Sequence, residues 1–281
     1  MAAILGGIGA AVFWGTSTFC SSRSTRMIGA ASALAWVMLV GFVVIAPVAA
    51  VRGVAGNADS ADVFWLAVAS VGSVGGLGLS YVALRRGKVS IVAPICATEG
   101  AIAALVAVAF GQRLAATTLI ALGVIACGVI LASTGNEVVD GHSSRTSVAL
   151  AMLAASLFGI SLYASGRIGP SLGAAAIILG ARGLGVVVIL LPLLLQRRLR
   201  LTRSALPLVL ASGVLELAGY VSFIVGVGSG NVAVPAVLSS LFAVVAGVLG
   251  FLVLGERLRR VQFAGVAATV LGVVVLSGLQ A

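Results

Sequence analysis

Three ionisable side chains interrupt long apolar stretches of the sequence, and they are its strongest candidates for chemistry. Glu99 lies in "VSIVAPICATEGAIAALVAVAF" (89–110), Arg182 in "AIILGARGLGVVVILL" and Glu216 in "LVLASGVLELAGYV". Each is about ten residues from the nearest end of its predicted span (89–110, 172–195 or 204–228), roughly 15 Å along a helix. Ionisable groups inside apolar spans are costly and usually face a cavity or a partner. We therefore expect these three residues to form a substrate-binding or proton-binding site.

Two interpretations of these groups stay open at the level of the sequence. Burial in a medium of low dielectric favours the neutral form of a carboxylic acid, which suits an acid that gains and loses a proton. Alternatively, Arg182 forms a structural ion pair with Glu99 or Glu216, or a neutral acid is hydrogen-bonded to a backbone carbonyl. Arg182 itself is equally well explained by backbone hydrogen bonds.

Four aromatic side chains fall at a similar depth: Trp14, Tyr81, Tyr163 and Tyr220. Rings at these positions could stack on a flat or cationic ligand, although aromatic residues on helices more often serve packing. Pro94 and Pro235 lie in early turns of their stretches, where a missing N–H could leave a backbone carbonyl free for a ligand.

The elements that position these residues must lie in a membrane. The 281 residues are 61% hydrophobic and 9% charged, whereas soluble domains have about 25% charged residues. The apolar stretches are long and continuous, which predicts helices rather than the short alternating strands of a membrane barrel. We expect an all-α integral membrane protein with ten transmembrane helices. The predicted spans are 2–22, 29–51, 63–84, 89–110, 114–132, 148–166, 172–195, 204–228, 232–254 and 261–279.

The two halves of the sequence resemble each other at one constant offset. Shifting the second half back by 144 residues aligns "WGTSTFCSSR" (14–23) with "FGISLYASGR" (158–167) and "GQRL" with "GERL". The same shift places Gly29 on Gly173 and Gly41 on Gly185. This predicts a first repeat at 1–135, a polar connector at 136–147 and a second repeat at 148–281. Five spans per repeat is an odd number, so the second repeat enters the membrane from the opposite side. Inverted repeats of this kind build alternating-access transporters with a site near the midplane.

The closing segment "LGERLRRVQFAGVAATVLGVVVLSG" (254–278) resembles the drug/metabolite transporter superfamily, specifically its ten-helix EamA-type transporters with two EamA repeats. "VFWG" in the first span and "ILGARGLG" in the seventh are similar more loosely. One departure is Gln112, which stands where the second repeat has Glu256; we expect Glu256 to act as a structural cap or ion-pair partner. The resemblance implies secondary transport of small molecules without ATP hydrolysis.

Together these features predict a secondary transporter that exports a small amphipathic metabolite or drug, with proton coupling as an open question. The alternatives are a membrane scaffold that transports nothing and a flippase for a lipid-linked headgroup. We expect no enzyme activity, cofactor or metal, because the sequence has a single histidine, His142, and no phosphate-binding loop or nucleophile–base set. The three cysteines, Cys20, Cys96 and Cys127, are interpreted as small packed side chains.

The net charge of +10 does not indicate nucleic acid, because the basic residues cluster in short connectors between spans. Most of the 17 Lys and Arg residues follow odd-numbered spans, which by the positive-inside rule places those connectors in the cytoplasm and both termini outside. The EamA resemblance implies the opposite orientation. We expect a multi-pass protein of the plasma membrane whose partners are a small-molecule substrate and the lipid bilayer. Ala264, Ala268 and Gly272 in the tenth span form a stripe of small residues suited to internal packing or to a homodimer contact.

Overall fold

The structure is a computed structural model, and every element described below is a helix. It describes residues 1–52, 59–87, 89–112, 115–133, 142–228, 232–254, 261, 264–265, 267–268 and 271–272. The first half contains α1 (Ala2–Ile28), α2 (Ala30–Arg52), α3 (Ser60–Arg86), α4 (Val89–Cys96), α5 (Glu99–Ala109) and α6 (Ala116–Ser133). The second half contains α7 (His142–Gly185), a π-helix (Val186–Leu190), α8 (Leu191–Leu195), α9 (Leu206–Val227), α10 (Ala233–Ser239) and α11 (Phe242–Leu254).

Within the described part of the chain, five helices are long and apolar enough to cross a membrane. They are Ala2–Ile28, Ala30–Val51, Ser60–Arg86, the continuous stretch Thr146–Leu195, and Leu206–Val227. Large apolar side chains such as Leu105, Ile120 and Leu195 are exposed on the outside of the helix bundle. Such a surface is stable when lipid is the solvent, since no water then has to order around it.

The predicted first, sixth and seventh spans and the predicted connector differ from the observed helices. The first helix continues six residues past the predicted end at 22, to Ile28. The predicted connector 136–147 is partly helical, because α7 begins at His142. That helix also joins the predicted sixth and seventh spans, with a bend at Gly173. Most of the predicted tenth span, like Glu256, lies outside the described residues.

Positive φ angles at two glycines mark equivalent turns in the two halves. Gly29 separates α1 from α2 and has a φ of 89°, and Gly173 bends α7 with a φ of 72°. Glycine adopts this left-handed region without the steric cost that a Cβ atom imposes. The two residues are the pair that the sequence offset of 144 aligns, so both halves turn at the same point.

The predicted fourth and ninth spans are each broken into two helices. Residues 97–98 form a turn between α4 and α5, and residues 240–241 form a turn between α10 and α11. These breaks also lie at matching positions under the 144-residue offset. The two broken spans touch where the Gly100 N–H donates to Ser240 Oγ at 3.2 Å, and a Cβ atom at Gly100 would collide with the carbonyl of Ala236. Glycine at this position therefore permits the contact.

Contacts between the two halves are reciprocal. Helix α1 packs along α9, and the part of α7 before Gly173 packs along α3. In the first contact the Ser17 hydroxyl oxygen lies 3.2 Å from the carbonyl oxygen of Ser212. In the second, the Ser161 hydroxyl donates to the carbonyl of Ala69 at 2.7 Å. Ser17 and Ser161 are aligned by the offset, and the carbonyls that they approach are one residue apart in register, since Ser212 aligns with Val68.

The same reciprocity holds where α2 meets the second part of α7. A Cβ atom on Gly185 would lie 2.5 Å from the Met38 side chain, and one on Gly41 would lie 2.8 Å from Arg182 Cδ. Met38 and Arg182 are themselves aligned by the offset, as are Gly41 and Gly185. Exchanged contacts of this kind are the signature of two-fold packing between similar units.

Described residues of the last segment show one internal contact. Gly272 is buried, and a Cβ atom there would lie 2.7 Å from Ile125 of α6, whereas Ala264 is exposed. The homodimer contact through this segment stays a prediction.

Candidate functional site

A cavity lies beside the break between α4 and α5. Its walls come from α1, α3, α4, α5, α7, α9 and α11, and five of the predicted site residues line it: Trp14, Tyr81, Glu99, Glu216 and Tyr220. The centres of water molecules can occupy about 60 Å³ of this cavity, and about 10 to 15 Å³ suffices for one water. The cavity is therefore large enough for several waters or for part of a small solute.

Glu99 is the first residue of α5, immediately after the break. Its side chain is buried, with 5% of its surface exposed, and it lines the cavity. Among the described residues none donates a hydrogen bond to its carboxyl group or forms an ion pair with it. The sequence left Arg182 and a backbone carbonyl open as partners of Glu99. Arg182 pairs with Glu216 instead, and the Glu99 carboxyl group is therefore available to whatever occupies the cavity.

Glu216, on α9, is held by Arg182. The Arg182 guanidinium donates from Nη2 to Glu216 Oε2 at 3.4 Å, and the Ser17 hydroxyl donates to Glu216 Oε1 at 3.3 Å. Arg182 is completely buried behind the cavity wall, and its Nη1 contacts Met38 Sδ at 3.5 Å. Gly41 leaves room for the arginine stem. The opposite charges of this pair compensate each other, which a buried charge requires.

A chain of hydroxyl groups connects Glu216 to Tyr81. Ser17 and Ser212 are 2.8 Å apart, Ser212 and Ser21 are 2.6 Å apart, and Ser21 lies 2.7 Å from the Tyr81 hydroxyl. A hydroxyl group both donates and accepts, so each member can satisfy its neighbour. This chain ties α1, α3 and α9 together along the cavity wall.

Trp14 and Tyr220 form an aromatic corner next to the paired glutamate. The Trp14 indole N–H donates to the Glu216 carbonyl at 3.3 Å, and its ring meets Tyr220 edge to face at 5.3 Å. The Tyr220 hydroxyl donates to Ser73 at 2.8 Å. The Arg182 guanidinium lies 5.8 Å from the centre of the Tyr220 ring. The two rings are therefore fixed on both sides and present rigid surfaces to the cavity.

Tyr163 lies away from the cavity. Its ring stacks on Phe110 at 5.1 Å and meets Trp65 edge to face at 5.6 Å, and the Arg167 guanidinium lies 5.5 Å from the centre of the Trp65 ring. Arg182 also does not line the cavity and acts on it through Glu216. The structure thus brings together six of the seven predicted residues and places Tyr163 in a separate aromatic cluster.

Sequence reasoning missed the serines of the site. Ser17 and Ser21 are four residues apart on α1, and Ser212 and Glu216 are four residues apart on α9. That spacing puts each pair on one face of its helix, so polar residues at i and i+4 in an apolar span were a usable signal. Cys96, Phe158 and Phe242 also line the cavity, and no feature of the sequence distinguishes them from packing residues.

Replacing Ser21 with alanine is expected to lower the free energy of unfolding by about 1 to 3 kcal/mol, because buried hydroxyl partners lose a hydrogen bond. Thermal or denaturant unfolding of the purified protein in detergent measures this effect.

The matched control for that variant is Ser165→Ala. Ser165 is aligned with Ser21 by the repeat offset, but its buried hydroxyl has no hydrogen-bond partner among the described residues, because the positions aligned with Ser212 and Tyr81 are Val68 and Val225. Its removal should leave stability unchanged or raise it. Equal losses in the two variants would contradict a stabilising role for the hydroxyl chain.

Comparisons with known proteins agree with this architecture. No curated protein matches the sequence. A solved crystal structure that shares 19% sequence identity superposes with a TM-score of 0.75, covering 99% of this chain and 96% of the other; at this identity it supports the fold alone. The model of the EamA-like transporter family matches twice, at residues 1–134 and 145–278. A family of transporters fits the expectation that the chain is not an enzyme. This chain is thus a multi-pass membrane protein that belongs to the EamA-like transporter family.

Proposed function

We propose that the chain is an alternating-access secondary transporter built from two inverted five-span repeats, 1–135 and 148–281, joined by the connector 136–147. The reciprocal contacts of α1 with α9 and of α7 with α3 support this architecture. So do the positive φ angles at Gly29 and Gly173. Such an arrangement gives ten spans, with the substrate site between the repeats.

The observation that carries the proposal is the cavity at the broken spans. Helices interrupted at corresponding positions of two repeats are the usual location of a transporter's substrate site, because the break frees backbone groups and lets side chains face water within the membrane. Here α4 and α5 supply Cys96 and Glu99 to the cavity, and α11 supplies Phe242. A scaffold that transports nothing has no need of a cavity lined by an unpaired carboxyl group.

The position of the cavity supports export across the plasma membrane. Its lining residues on α1 and α3 run from mid-helix toward the C-terminal ends, for example from Trp14 to Ser21 and from Ser73 to Leu84. Basic residues follow those ends and mark them as cytoplasmic by the positive-inside rule.

The opposite ends of the same helices pack tightly. A Cβ atom at Gly6 would collide with Gly226 of α9, and one at Gly7 would lie 2.6 Å from Leu238 Cβ of α10. A site reached from the cytoplasm and sealed on the other side is the state that loads a substrate for export.

The proposal is tested by filling the cavity. Ala93 is buried and lines the cavity, so Ala93→Phe should block the site. Purified protein is reconstituted into vesicles, and a panel of aromatic amines, amino acids and neutral aromatic solutes is offered with and without an imposed pH gradient. Uptake is measured by mass spectrometry. We expect at least one solute to enter vesicles with the unmodified protein and none to enter with Ala93→Phe beyond the level of protein-free vesicles.

The matched control is Ala109→Phe, which adds the same side chain at an exposed position at the end of α5 and should transport normally. Both variants are checked for an unchanged melting temperature. Unchanged transport by a folded Ala93→Phe protein would show that the cavity is not the pathway. No transport of any solute by the unmodified protein under any gradient would favour the scaffold.

A further inference from the structure

The charges that line the cavity do not balance. Glu216 is compensated by Arg182, whereas Glu99 has no oppositely charged partner among the described residues. The lining residues that the structure describes include no lysine, arginine or histidine. With both carboxyl groups ionised, the cavity and its wall therefore carry one negative charge that the protein does not neutralise. In surroundings of low dielectric such a charge is stable only when a proton or a cation accompanies it.

The rest of the described lining is uncharged and consists of apolar, aromatic and hydroxyl side chains. Trp14, Tyr220 and Phe242 face the same space as Glu99, and the Trp14 and Tyr220 rings are fixed by hydrogen bonds to Glu216 and Ser73. An aromatic face attracts a cation through its quadrupole, most strongly where water is excluded. Hydroxyl groups along one wall can donate to a carboxylate but supply no positive charge.

We propose that this cavity binds an organic monocation with an aromatic or apolar body, and that the cation enters in exchange for one proton on Glu99. This proposal rests on the proposed transport function and names the substrate class of the same cavity. In the exchange the O–H bond of the protonated Glu99 breaks, the proton passes to water in the cavity, and the resulting carboxylate pairs with the cation. One positive charge leaves the site and one enters, so the charge of the occupied site does not change.

The geometry also sets which solutes are rejected. An anionic solute would meet the Glu99 carboxyl group without a fixed cation in the cavity, because the guanidinium of Arg182 is buried behind the wall and occupied by Glu216. A zwitterion would pair its ammonium group with Glu99 but leave its carboxylate without a partner. A neutral isostere keeps the aromatic contacts and loses the charge pairing. The expected order of affinity is cation first, then the neutral solute or zwitterion, then anion.

The pH dependence follows from the same exchange. The titratable groups that line the cavity with Glu99 are Cys96 on α4, Tyr81 on α3, and Glu216 and Tyr220 on α9. Glu216 is paired, and the described side chains of α7 and α11 in the lining are apolar. Of the two other helices that pack against α5, α10 contains no ionisable residue, and α6 contains one, Cys127, whose side chain is exposed on the outside of the bundle. Raising the pH removes the competing proton and should tighten cation binding, and lowering the pH should weaken it.

The test uses three probes with one benzyl group and no titratable proton over the pH range used: benzyltrimethylammonium, its uncharged carbon isostere neopentylbenzene, and benzylsulfonate. Phenylalanine serves as the zwitterion. Binding to the purified protein in detergent is measured by isothermal titration calorimetry, with tryptophan fluorescence as a second signal. We expect benzyltrimethylammonium to bind at least about tenfold more tightly than the neutral and anionic probes. We also expect its binding to release up to one proton per protein, measured as the dependence of the binding heat on buffer ionisation.

Glu99→Gln should remove both the preference for the cation and the proton release. Asp62→Asn, which removes the same formal charge from a half-buried residue near the start of α3 and outside the cavity, should keep both. Equal binding of the three probes by the unmodified protein, or tighter binding of benzylsulfonate, would overturn the proposal, and this outcome does not depend on whether the variant folds. Cation binding without any transport in vesicles would refute the proposed function and leave the binding site intact. Transport of other solutes without cation binding would refute the proposed cation site and leave the proposed transport function intact.

Discussion

Arg182→Met is expected to destabilise the protein more than any other single substitution considered for this site. Arg182 is fully buried, and its guanidinium pairs with Glu216 at 3.4 Å. Methionine fits the space, since Met38 occupies the equivalent position in the first half. The loss therefore comes from the charge left on Glu216 rather than from a void. Removing one partner of a buried ion pair costs about 3 to 5 kcal/mol, and unfolding of the purified protein in mixed micelles measures it.

The double variant Arg182→Met/Glu216→Gln separates lost charge pairing from lost packing. Both charges are then absent, and glutamine can still accept the hydrogen bond from Ser17. We expect the double variant to recover to within about 1 kcal/mol of the original stability, as replaced buried ion pairs often do. Arg167→Met is the control, because Arg167 is exposed and stacked on Trp65, an interaction of about 0.5 to 1 kcal/mol. A double variant as unstable as the single one would mean that the guanidinium stabilises the fold by its other contacts.

Glu99→Gln is expected to abolish proton-driven transport while leaving the fold intact. Glutamine has nearly the same shape as protonated glutamate but cannot release a proton. A pH gradient can therefore no longer drive transport through this site. Cation uptake driven by an opposite proton gradient should fall by at least about tenfold, the factor that corresponds to about 1.4 kcal/mol of lost pairing. Between pH 5 and pH 9, as a rough working range centred on the neutral region, uptake by the variant should lose its dependence on pH. Uptake of benzyltrimethylammonium into vesicles with a fixed internal pH measures both effects.

Two outcomes would contradict this role for Glu99. One is a variant that retains gradient-driven uptake with the original pH dependence. The other is a loss of uptake in Asp62→Asn equal to that in Glu99→Gln, which would show that net charge matters rather than the carboxyl group in the cavity. An unchanged melting temperature of Glu99→Gln establishes that any loss is functional. We expect Glu99→Gln to be as stable as the unmodified protein, because the Glu99 carboxyl group forms no hydrogen bond or ion pair with a described residue.

The membrane environment and the internal similarity could be predicted from the sequence. Apolar length is a local property, and transfer of a helix into lipid depends on the sum of its own residues. The offset that aligns Gly29 with Gly173 likewise needs no knowledge of packing. The depth of Glu99, Arg182 and Glu216 followed from counting residues along each span at a fixed rise.

The breaks in the fourth and ninth spans could not be predicted from the sequence. Both stretches are continuous in hydropathy, and their prolines, Pro94 and Pro235, do not align under the repeat offset, although the breaks do. A helix ends in the membrane only where neighbouring groups can satisfy its free backbone atoms, and those neighbours come from other helices. The contact of Gly100 with Ser240 is such a tertiary feature.

What the sequence by itself determined is that three ionisable residues lie deep within apolar stretches of a membrane protein with two similar halves. Only the tertiary structure decided which of these residues pair with each other and which face the cavity. Arg182 pairs with Glu216, Glu99 faces the cavity alone, and Tyr163 belongs to a separate aromatic cluster. The physical reason is that depth depends on position along one helix, whereas pairing depends on the rotation of each helix and on how closely its neighbours approach. Small residues such as Gly41, which makes room for Arg182, set that approach, and their effect appears only once the helices are packed.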